Sequence, residues 1–151
     1  MPDDWILLLA KARSYCAYQE RCQQELRNKL HQWAVDLPAT EKIIDTLISE
    51  NFLNEERFAR LFAGGKFRMK KWGKRKIQLE LKKRKISEAN IHMAMKEIEA
   101  KPYRDLLKKL LQERSKKIQP APSSKKKHLL AQYALSKGFE SDLVWDLLST
   151  L

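Results

Sequence analysis

Four glycines and five prolines are too few for a β-rich chain of 151 residues, which would need many tight turns. Long apolar runs are missing too. The run from Trp5 to Ala10 is far too short to span a bilayer. The opening residues MPDDWILLLAKAR carry acids where a secretory signal needs bases, so a soluble, cytoplasmic protein without a membrane partner is expected. The two cysteines, Cys16 and Cys22, match neither a disulfide framework nor a metal knuckle, and reduced thiols are expected.

Catalytic patterns are also absent. The sequence has no Gly-rich phosphate loop, no HExxH, no paired-cysteine zinc pattern and no nucleophile elbow. His31, His92 and His128 are scattered. The acids of the first third, Glu41, Asp45, Glu50, Glu55 and Glu56, read in part as helix N-terminal charges rather than a metal cluster. The expectation is a protein that is not an enzyme and holds no metal or cofactor.

Lys, Glu, Leu, Ala, Gln and Arg dominate, and these are good helix formers, so the fold class is all-α. Apolar periodicity predicts a helix over residues 5–17 and a second from Tyr18 or Gln19 to Trp33, with Cys22, Leu26 and Leu30 on one face. Thr40 reads as the N-cap of a third helix, which places Ile43, Ile44, Leu47 and Ile48 inward. Asn51 is a left-handed stop and Asn54 the next cap. A stripe of Phe58, Leu61, Phe62, Gly65 and Met69 follows, broken at Gly73. A helix to Lys85 and one capped by Ser87 come next. The last three start at Pro102, near Ser124 and near Ser141, with Gly138 as a stop.

Shifting the chain by 53 places Ile77 on Leu130, Leu81 on Ala134, Ile86 on Phe139, Ile91 on Val144 and Met95 on Leu148. The first triplet fits more loosely, with Glu25-Leu26 on Glu80-Leu81 and Lys29 on Arg84. Short helices repeating in phase predict an elongated, curved row of three three-helix repeats, at residues 1–52, 53–100 and 101–151.

Charge is the other informative quantity. The window from Lys66 to Lys85 holds eleven bases and one acid, Glu80, for a net +10, against +12 for the whole chain. On a helix over 73–85, Ile77 and Leu81 face inward, while Arg75 with Lys82 and Lys76 with Lys83 form two outward i, i+7 pairs. Arg57, Arg60, Arg68 and Lys71 form a companion stripe, with Gly64 leaving a gap in side-chain cover. Such an array suits a polyanion, nucleic acid or acidic protein, bound in a salt-dependent way. Trp72 is expected to pack internally. Phe67 is balanced between packing and an anchoring contact. The bases Lys108, Lys109, Arg114, Lys116, Lys117 and Lys125 to Lys127 have more acid nearby and read as a solvated face.

The same residues resemble the RecX family of bacterial regulatory proteins. The family's small Gly-Leu-Leu-Asp-Asp-x-Arg-Phe-Ala block corresponds to Asn51 through Ala59. Its Gly-Pro-x-Arg-Ile element corresponds to Gly73 through Ile77, followed by Glu80 and Leu81, and its terminal Arg-Gly-Phe to Lys137, Gly138 and Phe139. A further element falls on Cys22, Glu25, Leu26, Lys29 and Leu30. Asn51, Asn54, Lys74 and Lys85 depart from the pattern; the asparagines preserve stop and cap, while the lysines add charge at two turns.

The resemblance implies tandem three-helix repeats and a protein that binds the RecA–DNA filament along its groove. It also implies inhibition of RecA recombinase and ATPase activity in recombination and repair. Arg57, Arg60, Phe67, Arg68, Lys71, Arg75, Lys76, Lys82 and Lys83 are the expected contact residues, touching RecA or DNA phosphates without sequence readout. A monomer is expected. The alternative is a free-standing, sequence-independent nucleic-acid-binding protein.

Overall fold

A computed structural model describes residues 2–150. Among these the chain forms nine α-helices and no strand: α1 Pro2–Tyr18, α2 Gln23–Gln32, α3 Leu37–Ser49, α4 Glu55–Gly65, α5 Lys74–Lys83, α6 Glu88–Met95, α7 Ala100–Lys117, α8 Ser123–Ser136 and α9 Ser141–Leu148. A π-helical turn, Lys66–Lys70, extends α4. Helix packing falls into the triplets α1–α3, α4–α6 and α7–α9. Among the described residues no hydrogen bond or ion pair links the first triplet to the third, so the fold is an elongated row of three repeats.

The repeat is most exact where each middle helix ends. Ala34, Lys85 and Gly138 follow α2, α5 and α8, all in the left-handed region, at φ 59°, 59° and 97°. The next residue, Val35, Ile86 or Phe139, then donates its N–H back to Leu30, Leu81 or Ala134 at 3.0, 3.1 and 3.2 Å. This closing bond satisfies a carbonyl that the helix end would otherwise leave open. It confirms the 53-residue register between the second and third repeats, and it corrects the first. Leu30, not Leu26, is the counterpart of Leu81, one helical turn from the expected pairing. Apolar spacing cannot detect that slip, because a shift of four residues keeps the same face inward.

Other boundaries behave as local chemistry dictates. Asn54 accepts from Arg57 N–H at 2.9 Å and Ser87 from Asn90 N–H at 3.2 Å, as caps should, and Asn51 is left-handed at φ 63°. Two starts differ from the expectation. The cap of α3 is Asp36, whose carboxylate accepts from Ala39 N–H at 2.8 Å, while Thr40 is buried one turn inside. Pro38 sits in the first turn, where its missing N–H breaks no helical bond. Helix α2 begins only at Gln23, with Glu25 accepting from Cys22 N–H at 3.1 Å. The apolar stripe of α4 is also corrected: Phe58, Ala59 and Ala63 are buried, whereas Leu61 and Met69 are exposed. The π-helical turn adds residues per turn and carries Met69 out of phase.

Two apolar clusters form the interior. One, from Leu9 to Leu53, belongs to the first repeat; the other runs from Phe58 to Leu148 through both later repeats and takes in Cys22. Arg57 Nε to Glu20 at 2.7 Å, Glu55 to Gln23 N–H at 3.1 Å and Arg84 to Glu25 at 3.9 Å tie the first repeat to the second. Cys16 and Cys22 are both free and buried, and burial pushes each thiol up to about 11. Because the thiolate is the reactive form, neither should react with a disulfide reagent in the native protein. Both should react in guanidinium, by absorbance titration of released thiolate.

Candidate functional site

Helix α5 places the centre of the charge. Its straight-chain residues favour helix, and Ile77 and Leu81, one turn apart, are fully buried. Its N-terminus has no side chain to cap it, since residue 73 is glycine. The third repeat supplies the acceptors instead. Gly73 N–H donates to Lys137 O at 2.8 Å, Arg75 N–H to Gly138 O at 2.9 Å, and Lys74 N–H to the Tyr103 hydroxyl at 2.9 Å. Three donors that a helix start leaves open are thereby satisfied across the repeat junction. Lys74, where the family pattern has proline, has the N–H that this contact with Tyr103 uses. The Tyr103 hydroxyl in turn donates to Glu140, and burial together with that carboxylate raises its pKa well above the usual phenol range.

The junction is close enough to need both glycines. A Cβ on Gly73 would lie 2.3 Å from the carbonyl carbon of Gly138, and one on Gly138 2.3 Å from the Cβ of Lys76. This approach opens a cleft of about 600 Å³ between α5 and the end of α8. Arg75, Lys76, Lys82 and Lys83 all line it, with Leu79 and Leu135 as exposed apolar groups. The two i, i+7 pairs read from the sequence therefore meet a second wall contributed by another repeat. Glu80, the acid of the basic window, is bonded to Lys83 at 3.0 Å and to Arg84 at 3.3 Å, and these cations hold its carboxyl below the usual range.

The companion stripe is placed differently. Arg57 is half-buried and committed to Glu20 and to the carbonyls of Asn51 and Phe52, so it joins repeats rather than facing solvent. Arg60 is exposed, 3.8 Å from Glu97. Arg68 is exposed and its guanidinium covers Gly64, closing the gap expected there. Phe67 is half-buried against Tyr103, with ring centroids 5.9 Å apart, and is packed rather than offered as an anchor. Lys71 is exposed in a left-handed conformation at φ 57°. Trp72 is partly buried on the core, edge-on to Phe62, as expected. Lys66 and Lys76 hold their ammonium groups over its ring, at 5.1 and 4.7 Å from the centroid.

Sequence reasoning missed Lys137. Its ammonium donates to Lys70 O at 3.2 Å, which brings a third-repeat cation into the basic window. Burial and the neighbouring Lys76 and Lys71 push its pKa below the usual lysine value. Its place in the Lys137-Gly138-Phe139 element was the available signal. The other basic group borders a separate cavity of about 810 Å³ between α7 and α8, where Lys116, Lys126 and Lys127 are spread along an open wall. Among the described residues no group of His, Cys, Asp or Glu could hold a metal ion, and no helix is long and apolar enough to cross a membrane.

Comparison with known proteins finds likenesses to one group of regulatory proteins. The family model "RecX, second three-helix domain" matches residues 54–95, the segment containing every expected contact residue. The regulatory protein RecX of Lactobacillus gasseri is 33% identical over 94 residues, covering 62% of this chain and 35% of that protein. The regulatory protein RecX of a Mycobacterium species (strain KMS) is 25% identical over 147 residues, covering 92% of this chain and 80% of its own length. The crystal structure of RecX from Lactobacillus salivarius superposes with a TM-score of 0.90 at 22% identity, over 100% of this chain and 98% of that one. A second RecX crystal structure gives 0.83 at 22% identity, over 95% and 72%. At these identities the structures show a shared fold, and the chain spans only about a third of the Lactobacillus gasseri relative.

Proposed function

We propose that this chain, which resembles the RecX regulatory proteins in sequence and in fold, binds the RecA–DNA filament and restrains it. Binding inhibits RecA recombinase and ATPase activity and so tempers recombination and repair. The observation that carries this reading is the basic cleft at the junction of the second and third repeats, set on an elongated row of helices. A filament groove is lined by protein and by phosphates, and it rewards length, positive charge and a few apolar contacts together. Leu79 and Leu135 beside Arg75, Lys76, Lys82 and Lys83 supply that mixture in one place.

The protein acts by occupancy rather than by chemistry. It works as a monomer in the cytoplasm, where RecA and DNA are, with the units 1–52, 53–100 and 101–151 laid along neighbouring subunits. Of the expected contacts, Arg60, Arg68, Lys71, Arg75, Lys76, Lys82 and Lys83 remain available. Arg57 and Phe67 serve by holding the surface in shape. The deciding measurement is RecA ATPase turnover on single-stranded DNA with and without this protein, where the protein should lower the rate. Undiminished turnover, together with equal affinity for bare and RecA-coated DNA, would favour a free-standing nucleic-acid binder.

A further inference from the structure

The cations around the cleft divide by what already occupies them. Arg57, Arg60, Lys83 and Arg84 each have a carboxylate partner within 4.0 Å. Among the described residues Lys137 and the other cations of the 66–85 window, Arg75 and Lys82 in the cleft included, have none. Of these, Lys66, Lys71, Lys76 and Lys137 are gathered around Trp72 rather than spread. Lys66 and Lys76 share the Trp72 ring; Lys71 is the residue beside it; Lys137 reaches across from α8's end to Lys70 O. Ammonium groups held close without a counterion repel one another. Packing imposes the arrangement: Trp72 rests on Phe62, and the Gly73–Lys137 backbone bond fixes the third repeat beside it. Unpaired cations so held are matched to a ligand that brings closely spaced negative charge.

We propose that Lys66, Lys71, Lys76 and Lys137 form a phosphate-binding site for the backbone of a single DNA strand, with Trp72 as the positioning residue that holds two of the ammonium groups. The site rests on the filament reading and names which component of the filament these residues touch. All four cations are lysines. Their compact, hydrated point charges on flexible stems suit phosphates whose position varies along a strand. The Trp72 ring carries cations, so it does not stack a base, and binding through this site is independent of sequence. Because Lys137 comes from the third repeat, the site exists only while the two repeats are docked.

The test uses the full chain and a fluorescein-labelled oligothymidylate, with affinity read by anisotropy across a salt series. Each phosphate contact to a single strand contributes about 0.7 to the slope of log affinity against log salt, or on the order of fivefold at 0.1 M salt. Lys71→Gln, at an exposed position, and Lys137→Gln should each weaken binding by about that factor and lower the slope by about 0.7. Lys108→Gln, exposed on α7, should change neither. Trp72→Phe, which keeps a ring beneath the ammonium groups, should retain most of the affinity that Trp72→Leu loses at unchanged helicity. Unaltered slopes in Lys71→Gln and Lys137→Gln, equal losses in Lys108→Gln, or no binding by the parent chain at low salt would each overturn the site. Retained oligonucleotide binding with lost RecA inhibition would assign the cluster to protein and overturn it as well. RecA ATPase inhibition by the parent chain decides the filament reading separately, whatever the slopes show.

Discussion

Reversing Arg75, Lys76, Lys82 and Lys83 together to glutamate is expected to abolish inhibition of RecA while leaving helicity and the melting temperature near those of the parent chain. All four side chains line the same cleft, and none belongs to the buried pair Ile77 and Leu81 that seats α5. A single exposed ion pair is worth at most about 1 kcal/mol, so no one of these residues should be decisive. Four lost attractions amount to about 4 kcal/mol, or roughly three powers of ten in affinity, and the introduced carboxylates add repulsion. Some native contacts change as well: Lys83 gives up its bond to Glu80 and Lys76 its place over Trp72. Both are surface interactions of small net worth. RecA ATPase turnover on single-stranded DNA, with circular dichroism melts of the same samples, measures both parts of the expectation. Undiminished inhibition by the quadruple variant would remove the cleft from the mechanism.

Gly73→Ala should have the largest effect on stability of any single change at a glycine other than Gly138. The added Cβ meets backbone 2.3 Å away on the Gly138 side, at the carbonyl carbon and at Phe139 N. No rotamer relieves a clash with backbone. Relief requires the third repeat to retreat, which breaks the Gly73–Lys137 and Arg75–Gly138 hydrogen bonds and loosens Phe139, which is fully buried. The expected cost is on the order of 3 kcal/mol, combining overpacking with two lost bonds. For a domain of this size that is about 10 °C in melting temperature. Two glycines nearby serve as controls. Gly65→Ala meets nothing within 4 Å and should be neutral or slightly stabilising in its helix; Gly64→Ala meets only the movable guanidinium of Arg68. Urea melts should therefore set Gly73→Ala well apart from both controls, and a Gly73→Ala protein as stable as Gly65→Ala would refute the close junction.

Much of the fold was legible because its signals are local. Asn54 and Ser87 cap because a short polar side chain can reach an N–H three residues on, and Gly138 and Asn51 stop helices in the left-handed region. The stop expected at Gly73 falls instead on Lys71, with Gly73 extended at the start of α5. Burial of Ile77, Leu81, Ile86, Ile91 and Val144 followed from helical spacing alone. Thr40 was misread as a cap because Asp36 and Pro38 offered a better start four residues earlier. The first repeat was misaligned by one turn because a face repeats every turn, and only the left-handed residue at Ala34 fixes its register.

The candidate site was legible only in part. The sequence determined an all-α chain of repeating triplets, a buried seam along α5 and an outward array of Arg75, Lys76, Lys82 and Lys83. These are periodic properties of short segments, set by side-chain direction and the burial of apolar surface. Tertiary structure alone decided that Arg57 is consumed by Glu20 in another repeat, that Phe67 packs on Tyr103, and that Lys137 joins cations more than sixty residues earlier. It also decided that the array forms one wall of a cleft whose other wall is the end of α8. The placing of Lys137 and the second wall of the cleft both depend on two backbones meeting at Gly73 and Gly138, and no local pattern states which distant glycine a glycine will touch.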